Sequence, residues 1–481
     1  MATRSAVNRD IRSFAFVWTG VTIIIGVATF FAIYLTYGNS GNDLSNQGVA
    51  LPLAATETPA SVALAPTNPA TAVPTRVIPS NTPQPTPTPT EEPPAGGEAV
   101  DEGVAVAQAV EEPTVTPTLL PINDTDYQVG VQVQYSIDLN PDVQNIWMND
   151  VQELGLGWFK QQVRWDQYEP QEDTYDWSPL DLSLPIASER GLKVLVSVVT
   201  SPEWARESGV NTEEVGPPAD YADYVDFVVK MLERYPGQIH AIEVWNEQNI
   251  AREWTAQGGL SASDYIDLLR VTYAAVKEVD PGVIVVSGAL APTGVSDGIN
   301  AINDFQYMDQ MIAAGLLNYT DCVGAHHNGY NISPSVTWDA VPNDPDATFR
   351  GPFDNPHHSW SFRSTLQTYA NKIAVAGGDQ RLCVTEFGWP SVEDMDGYPA
   401  GFEFALDNTL EEQAEWTVEA LNNMEEWDIV WLAFIWNLNY GPQAGWSTES
   451  DNTPYSLIGP EWARRPAYEA IKQWSAERNA Q

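Results

Sequence analysis

Ala241–Glu247 reads AIEVWNE, and Leu382–Gly388 reads LCVTEFG. Each is an apolar run of strand length, too short for a helix, and each delivers a glutamate at or near its end. Six further runs have the same character: Val129–Val133, Trp158–Trp165, Lys193–Val199, Val283–Ala289, Cys322–His327 and Val430–Asn437. Between them lie stretches with the apolar period of amphipathic helices, including Tyr221–Arg234, Ser263–Val279, Ser359–Val375 and Leu410–Trp427. Strands alternating with helices imply a parallel sheet with right-handed crossovers. Eight such units over residues 124–481 fit an α/β fold of the closed (β/α)8 TIM-barrel type better than an open doubly wound sheet. No GxGxxG follows the first strand, which disfavours a dinucleotide-binding fold.

Ahead of this domain the composition changes twice. Phe14–Tyr37 (FAFVWTGVTIIIGVATFFAIYLTY) contains no charge and is long enough to span a bilayer. Arg4, Arg9 and Arg12 precede it, and the next basic residue is Arg76. The positive-inside rule therefore keeps residues 1–13 in the cytoplasm and sends the rest across the membrane. A cleaved signal peptide, giving a secreted protein, is the alternative. The apolar run exceeds a typical signal core and no clear small-residue cleavage site follows, which favours an uncleaved anchor. Residues 38–123 are rich in Thr, Pro, Ala, Val and Glu, peaking in TPQPTPTPTEEPP at Thr82–Pro94. Proline removes backbone donors and favours extended chain, so this segment reads as a stalk with no packed core. A flexible chain of that length reaches roughly 50 Å, and proline lengthens it.

The charge balance excludes some functions. With 65 acidic against 22 basic residues, the formal net charge is -43, a field that repels phosphate backbones and argues against nucleic acid as a partner. The 18 Trp offer flat apolar platforms with a polar handle, which suit sugar rings but also pack structurally. Cys322 and Cys383 are the only cysteines, so there is no disulfide scaffold and no Cys-rich zinc site. The five His show no HExxH or HxH spacing, and no metal or cofactor is expected.

In (β/α)8 barrels function gathers at the C-terminal ends of the strands. Glu247 closes the fourth strand and Glu386 the seventh, which brings two carboxylates to one mouth. Cleavage of a glycosidic bond uses such a pair, one as proton donor to the departing oxygen and one on the opposite face of the sugar. WNEQN (Trp245–Asn249) and TEFGWPS (Thr385–Ser391) resemble the acid/base and nucleophile strands of the clan A retaining glycoside hydrolases, nearest to families 39 and 5. Further segments resemble the same clan in strand order. These are VRWDQYEPQEDTYDW (Val163–Trp177), SPEWA (Ser201–Ala205), GAHHNGY (Gly324–Tyr330) and AFIWNLN (Ala433–Asn439). Gln248 departs from the pattern, since many relatives carry Pro after the acid/base Glu.

The resemblance implies the following roles. Glu247 is general acid and then base, and Glu386 is the nucleophile. Asn246 binds the sugar 2-hydroxyl, and Arg164 keeps Glu386 ionised and oriented. His326 and Tyr330 contact the nucleophile or the sugar, and Trp436 floors the subsite. The substrate is a β-linked oligo- or polysaccharide and the enzyme a monomer. A carbohydrate-binding or adhesion protein on a retired barrel, and a transglycosylase using the same carboxylates, are the rival readings.

Other residues carry expectations of their own. His326 and His327 are adjacent on one strand, so only one faces the barrel interior. Trp204, Trp254 and Trp389 either line outer subsites or pack loops, and Asp394–Gly397 reads as an acidic turn without the last ligand of a calcium loop. Counting back four residues from the functional strand ends puts Lys160, Glu243, Cys322 and Leu432 in interior layers, with Lys160 and Glu243 as a buried ion pair. The same count sets Cys383 out of phase with Cys322, so a disulfide between them is not expected.

Overall fold

Gly130 of β1 (Gln128–Gln132) sits between Trp158 of β2 (Trp158–Arg164) and Phe434 of β8 (Val430–Ile435) in parallel ladders on both sides. A Cβ on Gly130 would come within 2.7 Å of both side chains, so only glycine leaves Phe434 room inside the sheet. The computed structural model describes residues 125–134, 140–344, 347 and 357–480. Its sheet holds β3 (Lys193–Val199), β4 (Ala241–Val244), β5 (Ile284–Ser287), β6 (Val323–Asn328) and β7 (Leu382–Gly388) as well, in the order β5-β4-β3-β2-β1-β8-β7-β6. The two ends approach through parallel bridges Val286–Cys322 and Leu290–Ala325, which bring the sheet round into a nearly closed (β/α)8 barrel.

A helix follows each strand: α1 (Pro141–Glu153), α2 (Ser178–Glu189), α3 (Tyr221–Arg234), α4 (Ala262–Val279), α5 (Asp304–Ala313), α6 (Phe362–Val375), α7 (Leu410–Trp427) and α8 (Pro466–Asn479). Local chemistry sets several starts. Asp220 accepts from the Ala222 N–H to begin α3, and Thr409 with Glu412 forms a reciprocal capping box at α7. Both helices have the limits that the sequence period gives. α6 begins three residues later than expected. Ser361 caps it through the Ser364 N–H, and Ser359 belongs to a preceding 3-10 turn. One apolar core fills the space between sheet and helices. A second lies inside the barrel floor, where Trp158, Leu195, Ile284, Leu432 and Phe434 meet.

Cys322 and Cys383 are joined by a disulfide, contrary to the residue count. The count assumed an unbroken two-residue alternation. The β6–β7 ladder instead pairs Ala325 with Val384 and then His326 with Glu386, so one extra residue, Thr385, stands on β7. This bulge puts Cys383 in phase with the interior even though it lies three residues before Glu386.

The membrane anchor and stalk expected at 14–37 and 38–123 lie outside the described residues. Among the described residues no helix is long and apolar enough to cross a membrane.

Candidate active site

The site begins where β4 ends. The strand stops at Val244 because Trp245 (φ 75°) and Glu247 (φ 46°) both adopt left-handed backbone. For non-glycine residues such conformations cost about 1–3 kcal/mol each and persist only where surroundings fix them. Here the Trp245 indole N–H donates to the Glu253 carbonyl at 2.8 Å, and the Glu247 N–H donates to the Ala289 carbonyl at 2.8 Å. Gln248, the residue that departs from the clan pattern, donates its amide to the Gly288 carbonyl and so ties this turn to the end of β5. Asn249 adds a donor to the Ala291 carbonyl and accepts from the Ala291 N–H, both at 2.9 Å.

Across the barrel the bulge in β7 turns two consecutive side chains inward. Thr385 Oγ1 donates to Glu243 Oε1 at 2.6 Å, and Glu386 Oε1 accepts from Lys160 Nζ at 3.2 Å. Lys160 also lies 3.1 Å from Glu243 Oε2 and donates to the Thr385 carbonyl at 3.2 Å. The buried Lys160–Glu243 pair expected from the layer count is therefore present, and it extends upward to Glu386.

His326 joins the two strand-end glutamates. Its Nδ1 is 3.2 Å from Glu247 Oε1 and 3.7 Å from Glu386 Oε2. The nearest oxygens of the pair can thus lie no farther apart than those two lengths laid end to end. That bound admits the roughly 5–5.5 Å spacing of retaining enzymes and nearly all of the inverting range of about 6.5–9.5 Å lies beyond it. Its neighbour His327 points the other way, its ring edge-on to Phe362 of α6. Burial lowers His327 to about 4, so it is neutral at ordinary pH.

The interior charges sustain one another. Burial opposes charge on Lys160, but Glu243 and Glu386 outweigh it and raise the ammonium above its usual value. Burial likewise opposes ionisation of Glu243, and Lys160 and His326 overcome it, leaving that carboxyl low. Burial opposes a proton on His326, yet Glu386 and Glu247 raise its pKa. Glu386 is pushed up by burial, with His326 and Lys160 pulling it back.

Other expected residues fall as follows. Arg164 does not meet Glu386. It pairs with Asp166 at 3.0 Å and lines, with Thr200, Ser201 and Glu203, a cavity of about 270 Å³ that touches neither strand-end glutamate. The cation on Glu386 is Lys160, four residues earlier on the same face of β2, where the side chain points into the barrel. Asn246 is buried and its Oδ1 has no hydrogen-bond partner among the described residues, an acceptor left for a ligand hydroxyl. Tyr330 is buried against Phe404, with burial and then Glu247 raising its pKa. Trp436 is buried, tilted on Tyr440 with centroids 5.0 Å apart, and precedes a cis peptide to Asn437.

Of the three tryptophans with open roles, Trp254 and Trp389 are fully buried and pack the loops. Trp204 is half-buried and donates to the Glu169 carbonyl at 3.0 Å. Asp394 is held by Arg465 at 2.6 Å.

Several residues near the pair have no counterpart in the sequence reading. Arg252 Nη2 comes to 3.9 Å of Glu247 Oε2 and its Nε to 3.6 Å of Glu253. Burial pushes Glu253 up to about 8 and Asp451 up to about 7, each against the pull of Arg252. Arg252 and Glu253 follow WNEQN almost directly, which is the only signal that could have drawn attention to them.

Known structures share this arrangement of the chain. One is a family 39 glycoside hydrolase from the gut symbiont Bacteroides cellulosilyticus WH2, at TM-score 0.52 and 16% identity over 74% of this chain and 65% of that one. A second is a monomeric β-xylosidase from Caulobacter crescentus CB15, at TM-score 0.51 and 18% identity over 75% and 70%. A third is a family 39 enzyme from Xanthomonas axonopodis pv. citri, at TM-score 0.51 and 18% identity over 75% and 68%. The barrel therefore has the fold of the clan A glycoside hydrolases. Within that fold its likeness extends to family 39 structures, of which it spans about two thirds of the length. No protein-family model and no curated protein matches the sequence.

Proposed function

We propose that this protein is a retaining glycosidase that cleaves β-linked glycans with Glu247 as acid/base and Glu386 as nucleophile. One observation carries the reading: a single imidazole nitrogen of His326 lies within 4 Å of both carboxylates. Two acids held that close, at the ends of opposite strands of one barrel, suit double displacement.

The steps follow from the contacts. Glu247 donates its proton to the glycosidic oxygen while a Glu386 oxygen attacks the anomeric carbon, giving a glycosyl ester and the freed alcohol. Glu247 then takes a proton from water, the hydroxide oxygen displaces Glu386, and both carboxyl groups return to their starting states. Lys160 bonds Glu386 and not Glu247, which favours Glu386 as the ionised partner. Asn246, with its free acceptor, fits the sugar 2-hydroxyl, an interaction that strengthens at the transition state. Tyr330 and Trp436 complete the wall of the sugar subsite, and Arg164 belongs to its flank.

We infer further that the barrel stands outside the cytoplasm, as a monomer on a proline-rich stalk anchored by residues 14–37. The Cys322–Cys383 disulfide suits an oxidising compartment. Protease treatment of intact cells should then remove the barrel; full protection would place it inside.

Turnover is tested with the full-length chain in detergent on aryl β-glycosides and polysaccharides. An aryl β-xyloside heads the panel because a β-xylosidase is among the similar structures. Glu386→Ala and Glu247→Ala should both lose activity, and azide should restore the first by forming an α-glycosyl azide. Glycan binding without turnover, unchanged in both variants, would overturn the assignment and favour a binding protein. Transfer to added sugar acceptors in preference to water would redefine it as a transglycosylase.

A further inference from the structure

Glu243 is fully buried, charged and one layer below the reacting carboxylates, and the catalytic cycle does not use it. We propose that Glu243 is a positioning residue that sets the ionisation of Glu386 by dividing the Lys160 ammonium with it. This rests on the reading of Glu386 as the nucleophile.

The geometry is that of a shared cation. Three oxygens surround Lys160 Nζ: Glu386 Oε1 and the Thr385 carbonyl accept hydrogen bonds at 3.2 Å each, and Glu243 Oε2 stands at 3.1 Å as an ion-pair contact. The two carboxylates stand at nearly equal distances, so neither takes the ammonium outright. Lys160 and Glu243 are fully inaccessible to solvent, and in that medium a charge acts with little screening. Thr385 fixes the second oxygen of Glu243, which keeps it from turning away. The bulge that brings Thr385 inward beside Glu386 thus also orients the competitor for its cation.

Division of the cation has a chemical use. A carboxylate with an undivided ammonium at hydrogen-bond distance is easily ionised but a poor nucleophile and a good leaving group. A carboxylate with no cation in a buried site takes up a proton and cannot attack. Glu243 holds Glu386 between these limits. The remaining titratable groups that face Glu386 are Glu247, His326, Tyr440, Glu253 and Asp451, so the observed titration belongs to the cluster and only its displacement is diagnostic.

The test uses two substitutions with opposite expected signs. Glu243→Gln keeps the shape and an oxygen for Lys160 but removes the competing charge. The acid limb of kcat/KM should then move to lower pH by about one unit, with lower kcat. Lys160→Met removes the cation, and the acid limb should move to higher pH by at least as much. Lys160→Arg, which restores the charge, should return it toward the original position. Loss of packing alone would lower the melting temperature in all three without moving the limb in opposite directions. Carbon-13 NMR of carboxyl-labelled glutamate, with Glu386 assigned by comparison with Glu386→Gln, reads the same titration without turnover. Absence of turnover in the unsubstituted protein would sink the glycosidase reading. Carboxyl titrations of Glu386 that coincide in the unsubstituted and Glu243→Gln proteins, or move the same way in both variants, would sink the role of Glu243.

Discussion

His326 Nδ1 on β6 meets Glu247 Oε1 on the turn after β4 at 3.2 Å, so the general acid candidate is held by an imidazole from another strand of the barrel mouth. Replacing His326 with Gln is expected to lower kcat/KM by about 10²-fold with the fold retained, near the lower end of what one acid-base partner contributes. The pH dependence has a definite sign. The pKa of His326 is raised in the folded state, so its contribution to stability is complete below the ordinary value of 6.5 and is lost as pH rises through the raised value. Melting temperatures of the two proteins should therefore differ most in acid and converge in alkali.

Glu253 responds with the same sign for a different reason. Its folded pKa is about 8 against 4.5 for an ordinary glutamate, because burial disfavours its charge. Stability is full below 4.5 and declines up to about 8 as the unfolded chain alone ionises. Glu253→Gln should melt like the unsubstituted protein at pH 4.5 and at a higher temperature at pH 8. At about 1.4 kcal/mol for each pH unit of that window, the gain is a few kcal/mol. Equal melting temperatures at pH 8 would show that Glu253 is ionised in the folded protein.

Closing a chain of 61 residues between Cys322 and Cys383 restricts the unfolded state. The double Ser variant is expected to lose about 2–5 kcal/mol. Denaturant melts with and without reductant check this. Coincident curves would mean that the bond adds nothing.

Asp394 grips Arg465 with both oxygens, at 2.6 and 3.0 Å, while Arg465 also donates to the carbonyls of Pro454 and Ser456. Arg465 is only 2% exposed, so Asp394→Ala leaves a buried cation half satisfied. We expect a loss of about 2–3 kcal/mol, less than a fully enclosed pair because Asp394 is partly exposed. Asp396→Ala and added chelator should change nothing. A chelator-dependent melting temperature would reinstate calcium at this turn.

The barrel was legible because alternation and helical period are repeated along the chain, and each repeat supports the next. Glu247 and Glu386 were legible because strand ends are where such barrels keep their chemistry. The partner of Glu386 was not. Arg164 and Lys160 share a face of β2, and the sequence does not say which of two depths on that face a residue across the barrel will meet. The layer count found Lys160 with Glu243 because those strands run without interruption. It failed for Cys383 because a bulge changes phase without any mark in composition. Arg252, Glu253 and Asp451 lie on loops, where folding decides position and no period exists to read.

That single added residue in β7 carries a lesson for anyone rebuilding the protein. Deleting Thr385 to restore ideal pairing would leave Cys383 and Glu386 two residues apart in plain alternation, both still facing the interior. Yet Glu243 would lose the hydroxyl that fixes one of its oxygens, and Lys160 the carbonyl it bonds beside Glu386, within a cluster closed to water. The residue that breaks the ladder is the one that ties the buried charges together, and a design procedure that rewards regularity would remove it first.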